Sequence, residues 1–234
     1  MKNPHDDKSV KHWETRPEES FRNFRFKQPY ERGLKGLRDI LENTNFDPAT
    51  LWQWGTMQAT ALIEVLKAVE ERFGREGQEI VFQSLWKVGH DIGHQILDGT
   101  TVPEDVTEAE WISFFATIVN RIAYASLETP SVDGPDRVSF SIDWCPHQDQ
   151  YRPFDCRVQR YLVQGMIDAA AEHARSLGRS ATWDVEFKST IPSGAKTCFF
   201  VMEKGDPEKA RKWAQMTRLI EEKALELARK RRGG

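Results

Sequence analysis

Val138-Ser139-Phe140-Ser141-Ile142-Asp143-Trp144-Cys145-Pro146 is the stretch on which the fold turns. Apolar Val138, Phe140, Ile142 and Trp144 alternate with Ser139, Ser141 and Asp143, the period of a strand with one buried face. Pro146 cannot donate to a ladder, so the strand ends at Cys145-Pro146. The sequence before residue 130 follows a helical period instead. A chain that starts with helices and then mixes strands with helices implies an α+β fold: an antiparallel sheet packed with helices, preceded by a helical N-terminal half.

Upstream of this strand, residues 31–42 read as a short helix. Asp47-Pro48 is a cap followed by proline at the first helical position. The long helix that follows runs to about residue 72, with Leu62, Ile63, Leu66 and Val69 on its apolar face. Phe73-Gly74-Arg75-Glu76-Gly77 interrupts it. The next helix, about 78–97, carries a stripe of Val81, Leu85, Val88, Ile92 and Ile96. Thr107, with Glu110 three positions later, is a capping box for a further helix reaching about residue 125. Residues 131–136 read as a turn or loop.

Downstream, a helix covers about 155–176, and Gly178 marks its end. Trp183, Val185 and Phe187 alternate with charged residues in a second strand. Ile191-Pro192-Ser193-Gly194 turns the chain. Residues 196–202 return as its antiparallel partner, with Cys198, Phe200 and Met202 on one face. Asp206-Pro207 opens a last helix that ends in Lys230-Arg231-Arg232. Residues 1–30 read as a loosely ordered arm, and residues 31–234 as a single domain. The arm's aromatics, including Trp13, Phe21, Phe24 and Phe26, anchor either onto the body or onto a second subunit, which is compatible with a homodimer.

Composition narrows the function. The 234 residues carry a net charge of -3 and 29% charged side chains. There is no basic excess that would favour nucleic acid or an anionic membrane. No run approaches the roughly 18 apolar residues of a membrane span. Met1-Lys2-Asn3-Pro4-His5-Asp6-Asp7 lacks the apolar core of a signal peptide. The expectation is a cytoplasmic protein with a small-molecule ligand and with neither nucleic acid nor membrane as partner. Three cysteines are too few for a disulfide scaffold, and their odd number leaves at least one unpaired in a monomer.

Cys156 is the candidate nucleophile. It falls in the first turn of the helix near residue 155, where free backbone N–H groups and the helix dipole favour a thiolate. A small buried cysteine where helix meets sheet is the plainer alternative. His147 is a candidate base for Cys156 or Cys145, or an exposed loop residue. Cys145 marks the strand exit, and Cys198 lies in core or lines a cavity. Arg157 is a candidate for holding a substrate carboxylate. His90 and His94 are i,i+4 on one helix face, either exposed or facing a cavity beside Trp86. Gly89 and Gly93 permit close approach of another helix or a ligand. His90-Asp91-Ile92-Gly93-His94 lacks the glutamate of a metalloprotease H-E-x-x-H. The cysteine spacing has no Cys-x-x-Cys knuckle, so neither a metal nor a cofactor is expected.

Cys145-Pro146, Phe154-Asp155-Cys156 and the later Thr190-Ile191-Pro192-Ser193-Gly194 leading to Cys198-Phe199 occur in an order that resembles the L-2-amino-thiazoline-4-carboxylic acid hydrolase-like family. More distantly, the chain resembles the vinyl-reductase-type small-molecule-binding domain. The resemblance covers roughly residues 60–203. It implies a helix-preceded antiparallel sheet and a hydrolase-like activity opening a carbon–nitrogen bond of a small heterocycle. Cys156 and Cys198 would be site residues, with Cys145 and His147 nearby. Arg157-Val158 after the central cysteine departs from the acidic segment the resemblance leads one to expect. The rival function is a non-enzymatic ligand-binding or sensor domain, and a third is an accessory protein that binds a partner through the aromatic arm.

Overall fold

The computed structural model describes residues 24–177, 182–205 and 211–232. Its helical half comprises α1 (Glu31–Asn43), α2 (Ala49–Phe73), α3 (Arg75–Leu97) and α4 (Glu108–Val119). The strands β1 (Leu127–Gly134) and β2 (Arg137–Trp144) follow, then α5 (Arg157–Ser176), β3 (Thr182–Ser189), β4 (Cys198–Gly205) and α6 (Lys212–Arg232). The four strands form one antiparallel sheet in the order β1-β2-β4-β3. The expected α+β architecture is therefore present.

Local chemistry accounts for the element boundaries. Asp47 Oδ1 accepts the Ala49 N–H at 2.9 Å, satisfying a free donor at the start of α2. Thr107 and Glu110 form the reciprocal capping box of α4. Gly74, at φ 62, separates α2 from α3 in a conformation that excludes most side chains. Beyond α4 the chain widens into a π-helical turn, Asn120–Tyr124, which Ala125 closes in the left-handed region at φ 48.

β1 differs from the sequence expectation, which placed a turn over 131–136. Pro130, Ser131 and Asp133 obscure the strand pattern. β1 is an edge strand, where a missing donor and polar side chains are tolerated. Trp144 is also a correction, since it is 40% exposed rather than part of the inward face of β2. Trp13, Phe21, Gly178 and Asp206-Pro207 lie outside the described residues. Phe24 is buried, its ring stacked on Phe114 at 4.3 Å, and Arg25 bridges to Thr101.

Three rings tie the sheet together. Phe140 on β2 stacks on Phe200 of β4, and Phe200 stacks on Phe187 of β3, both at 5.0 Å between centroids. These are direct cross-strand partners, the pairs that contribute most to sheet stability. Behind the sheet, α3 and α5 meet backbone to backbone. A Cβ on Gly89 would lie 1.8 Å from the Leu162 carbonyl oxygen, and one on Gly165 would lie 2.1 Å from that of Trp86. The close approach that Gly89 and Gly93 permit is therefore to another helix.

Candidate functional site

A mostly apolar cavity of about 460 Å³ opens between the sheet, the start of α5, the π-helical turn and α6. This is the size range of small-molecule sites. Cys145, Cys156 and Cys198 all line it, as does His147. Distant parts of the chain bring them together: the exit of β2, the N-cap of α5 and the first residue of β4. All three are free thiols.

Burial sets the state of these thiols. It pushes Cys156 up to about 12, with the neighbouring cysteines and Asp155 adding to the shift and Arg160 opposing it. Burial also raises Cys145, although a backbone hydrogen bond at His147 pulls the other way. Cys198 is raised by burial, with an opposing hydrogen bond from the Ile191 N–H at 3.2 Å. The thiols are protonated at neutral pH. The expected electrostatic gain at the helix start is outweighed because the cavity withholds water from a thiolate.

His147 stacks on Tyr151, 4.9 Å between centroids and 14° from parallel. Its Nδ1 is buried with no hydrogen-bond partner among the described residues. Burial lowers its pKa. No hydrogen bond joins its ring to a thiol among the described residues, so a resting thiol–imidazole pair is not formed. Tyr151 is pushed up to about 12 by burial and accepts a hydrogen bond from Gln159 Nε2 at 2.7 Å.

Arg157 is a correction. Its side chain is 2% exposed and forks onto Glu70, with Nε to Oε1 at 2.9 Å and Nη2 to Oε2 at 2.6 Å. Nη1 donates to the Phe154 carbonyl at 2.6 Å. Both ends of the fork are committed, and Arg157 is not in the cavity wall. Its structural effect is to fasten the start of α5 to α2.

Arg160, one helical turn further on, is the buried cation of the cavity wall; Lys188 and Lys223 also line it, each paired with a glutamate, Glu186 and Glu226. Arg160 is 3% exposed. Its Nη2 donates to the Trp213 carbonyl at 2.8 Å, and Nε and Nη2 share Thr217 Oγ1 at 3.0 and 2.9 Å. The guanidinium lies over the rings of Trp213 and Phe187. No carboxylate forms a direct ion pair with it among the described residues, although the charge of Glu221 acts on it from further away. Burial brings it down to about 10, which still leaves it charged at neutral pH. Asn120 also lines the cavity, and its Nδ2 is buried without a partner among the described residues. Nothing in the apolar spacing of α4 singled Asn120 out, because its exposure to the cavity depends on the π-helical turn.

His90 and His94 are a second correction. They are absent from the cavity wall and stand on the outer flank of the α3–α5 contact. The i,i+4 pairing is as expected, but it faces Glu172 of α5 rather than the thiols.

The chain is 50% identical over 215 residues to an uncharacterized protein of Archaeoglobus fulgidus, covering 92% of this chain and 95% of that one. The chain belongs to the family of that archaeal protein. No family model matches the chain. A solved trafficking protein particle complex subunit 3 from Naegleria fowleri, covalently bound to palmitic acid, aligns with 64% of this chain and 96% of its own. Its identity is 13% and its TM-score 0.41, a likeness that carries no argument here.

Proposed function

We propose that the chain is a small-molecule-binding protein whose ligand is a largely apolar molecule with a carboxylate or similar anionic head. The observation that supports this is Arg160: a buried cation without a carboxylate partner among the described residues, in the wall of an apolar cavity. Desolvating a guanidinium is costly unless an anion or a full set of acceptors compensates. A ligand head group would supply the anion, and Asn120 Nδ2 would supply a further donor. Phe187 and Phe200 would take the apolar body.

Decanoate and decanol form a matched pair of probes for this reading. Calorimetric titration should show tighter binding of decanoate. In Arg160→Met, with its fold checked by circular dichroism, that preference should fall by about 10- to 100-fold, the range of a charge-assisted hydrogen bond. Equal affinity of the wild type for the two probes would refute the reading.

A second reading, cysteine-dependent hydrolysis of a small heterocyclic substrate, is supported by the three thiols and His147 lining one cavity. Arg160 would hold the carboxylate of such a substrate equally well. The Cys156 S–H would add across a C=N bond, Sγ bonding the carbon and the proton going to nitrogen; the ring C–N bond would then break with that nitrogen leaving as an amine, and water would hydrolyse the S–C bond to restore the thiol. The protonated state of Cys156 weighs against it. Unchanged turnover of a thiazoline carboxylate in Cys156→Ala would exclude this chemistry.

Three free thiols fit the reducing cytoplasm. Exposed Trp54, Met57 and Phe73 on α2 are compatible with a homodimer, and a sedimenting species of monomer mass alone would refute it. Among the described residues no helix is long and apolar enough to cross a membrane.

A further inference from the structure

His90 Nε2 and His94 Nε2 approach the same carboxylate oxygen, Glu172 Oε2, at 3.2 and 3.3 Å. The three ligand-type atoms all lie within 4.8 Å of one another. In a tetrahedral site with bonds of about 2.0–2.1 Å, neighbouring ligand atoms stand about 3.4 Å apart. Two edges of the triangle already have that length.

We propose that His90, His94 and Glu172 form a binding site for a divalent transition-metal ion, on the flank where α3 crosses α5. This site is separate from the thiol cavity. Two imidazoles and one carboxylate suit Zn²⁺ and its borderline neighbours. They do not suit Ca²⁺ or Mg²⁺, which take oxygen ligands.

The helix contact makes the triangle. In Gly89-His90-Asp91-Ile92-Gly93-His94, each glycine faces α5 and each following histidine stands one residue further round. A Cβ on Gly93 would lie 2.7 Å from the Ala169 Cβ, so larger residues would hold the helices apart and take both imidazoles away from Glu172. Trp86 stacks on His90 at 4.7 Å and 26°. Its indole N–H donates to Asp168 Oδ2 at 2.8 Å, while Gln164 holds Asp168 Oδ1 at 2.8 Å. The ring that braces one ligand is thereby tied to the helix that supplies another. His94 and Glu172 are both partly exposed, which leaves an outer face open to water or an exchangeable ligand.

The test is equilibrium dialysis of the full chain, free of affinity tag and chelator, against Zn²⁺, with metal measured by mass spectrometry. One equivalent per chain is expected. His94→Ala and Glu172→Gln change accessible side chains, and their folds are checked by circular dichroism. Each should weaken binding by at least about 100-fold, more than loss of an outer-shell partner does. His173→Ala should bind as the wild type does. Substituted Co²⁺ should give a visible spectrum without a sulfur-to-metal band. Undiminished stoichiometry and affinity in both ligand variants would overturn the site. So would a sulfur-to-metal band, which would put the ion among the thiols, or no binding at millimolar Zn²⁺, which would leave the triad as an ion pair.

Discussion

The guanidinium carbon of Arg160 sits 3.8 Å from the centroid of the Trp213 ring. One residue lies on α5 and the other on α6, and Trp213 also meets Phe187 of the sheet at 5.8 Å. The contact holds the cation of the cavity wall in a defined place. Buried cation–π pairs contribute about 2 kcal/mol or more. A double-mutant cycle on Arg160→Met and Trp213→Leu, read by urea unfolding, should give a coupling energy of about 1–2 kcal/mol. Strict additivity would mean that the stacking contributes nothing.

Two glycine substitutions should have opposite effects. Gly89→Ala drives a methyl into the Leu162 carbonyl, a backbone atom that cannot swing aside. The strain should cost about 3 kcal/mol or more, at or above the usual range for overpacking. Gly55→Ala, inside α2 with nothing within 4 Å of the new Cβ, should stabilise by about 0.5–1 kcal/mol through helix propensity. Thermal unfolding of the two variants measures both, and a stable Gly89→Ala would contradict the backbone contact.

Alkylation kinetics report the thiols. Burial takes Cys156 from an ordinary 9.0 to about 12, so its thiolate fraction at pH 8 is far below that of a free cysteine. Iodoacetamide should modify Cys156 at least about 100-fold more slowly than a model thiol, and all three cysteines should react rapidly in denaturant. Peptide mass mapping over a time course distinguishes the sites. Fast native labelling of Cys156 would favour the hydrolase reading.

His147 should give the fold an acid-sensitive component. Its folded-state pKa is lowered from 6.5 by burial. The unfolded chain therefore binds the proton more tightly, and stability rises with pH between the folded value and 6.5. This contribution is complete above about pH 6.5 and is lost as pH falls through the folded value. Urea midpoints measured from pH 7.5 downward should show the slope, and His147→Gln should flatten it. An unchanged slope in that variant would show that other groups are responsible.

Much of this architecture was legible in the chain. The alternation at Val138, Phe140 and Ile142, the Thr107–Glu110 cap and the hairpin turn at residues 191–194 are local signals, carried by side-chain period and by turn chemistry. β1 was not legible. As an edge strand with Pro130 and outward polar residues, it takes its strand character from pairing with β2 rather than from its own pattern. The site was legible in part. The three cysteines and His147 were candidates by residue type, and they do line one cavity. Arg157 and Arg160 are three positions apart on one helix, and spacing alone offered no reason to prefer the second. Glu70, 87 positions before Arg157 in the chain, neutralises the first.

The sequence by itself determined the helices and the strands β2, β3 and β4, most of their apolar faces, and that at least one thiol is unpaired in a monomer, because these follow from local period, turn chemistry and residue count. Tertiary structure decided which charges are satisfied and which are not. Glu70 reaches Arg157 only when α2 packs against α5, while Arg160 is enclosed by rings from β3 and α6. It also decided that His90 and His94 meet Glu172, because Gly89, Gly93 and Gly165 let two helices touch along their backbones. Burial and long-range electrostatics depend on distances between residues far apart in sequence, and those distances exist only in the folded chain.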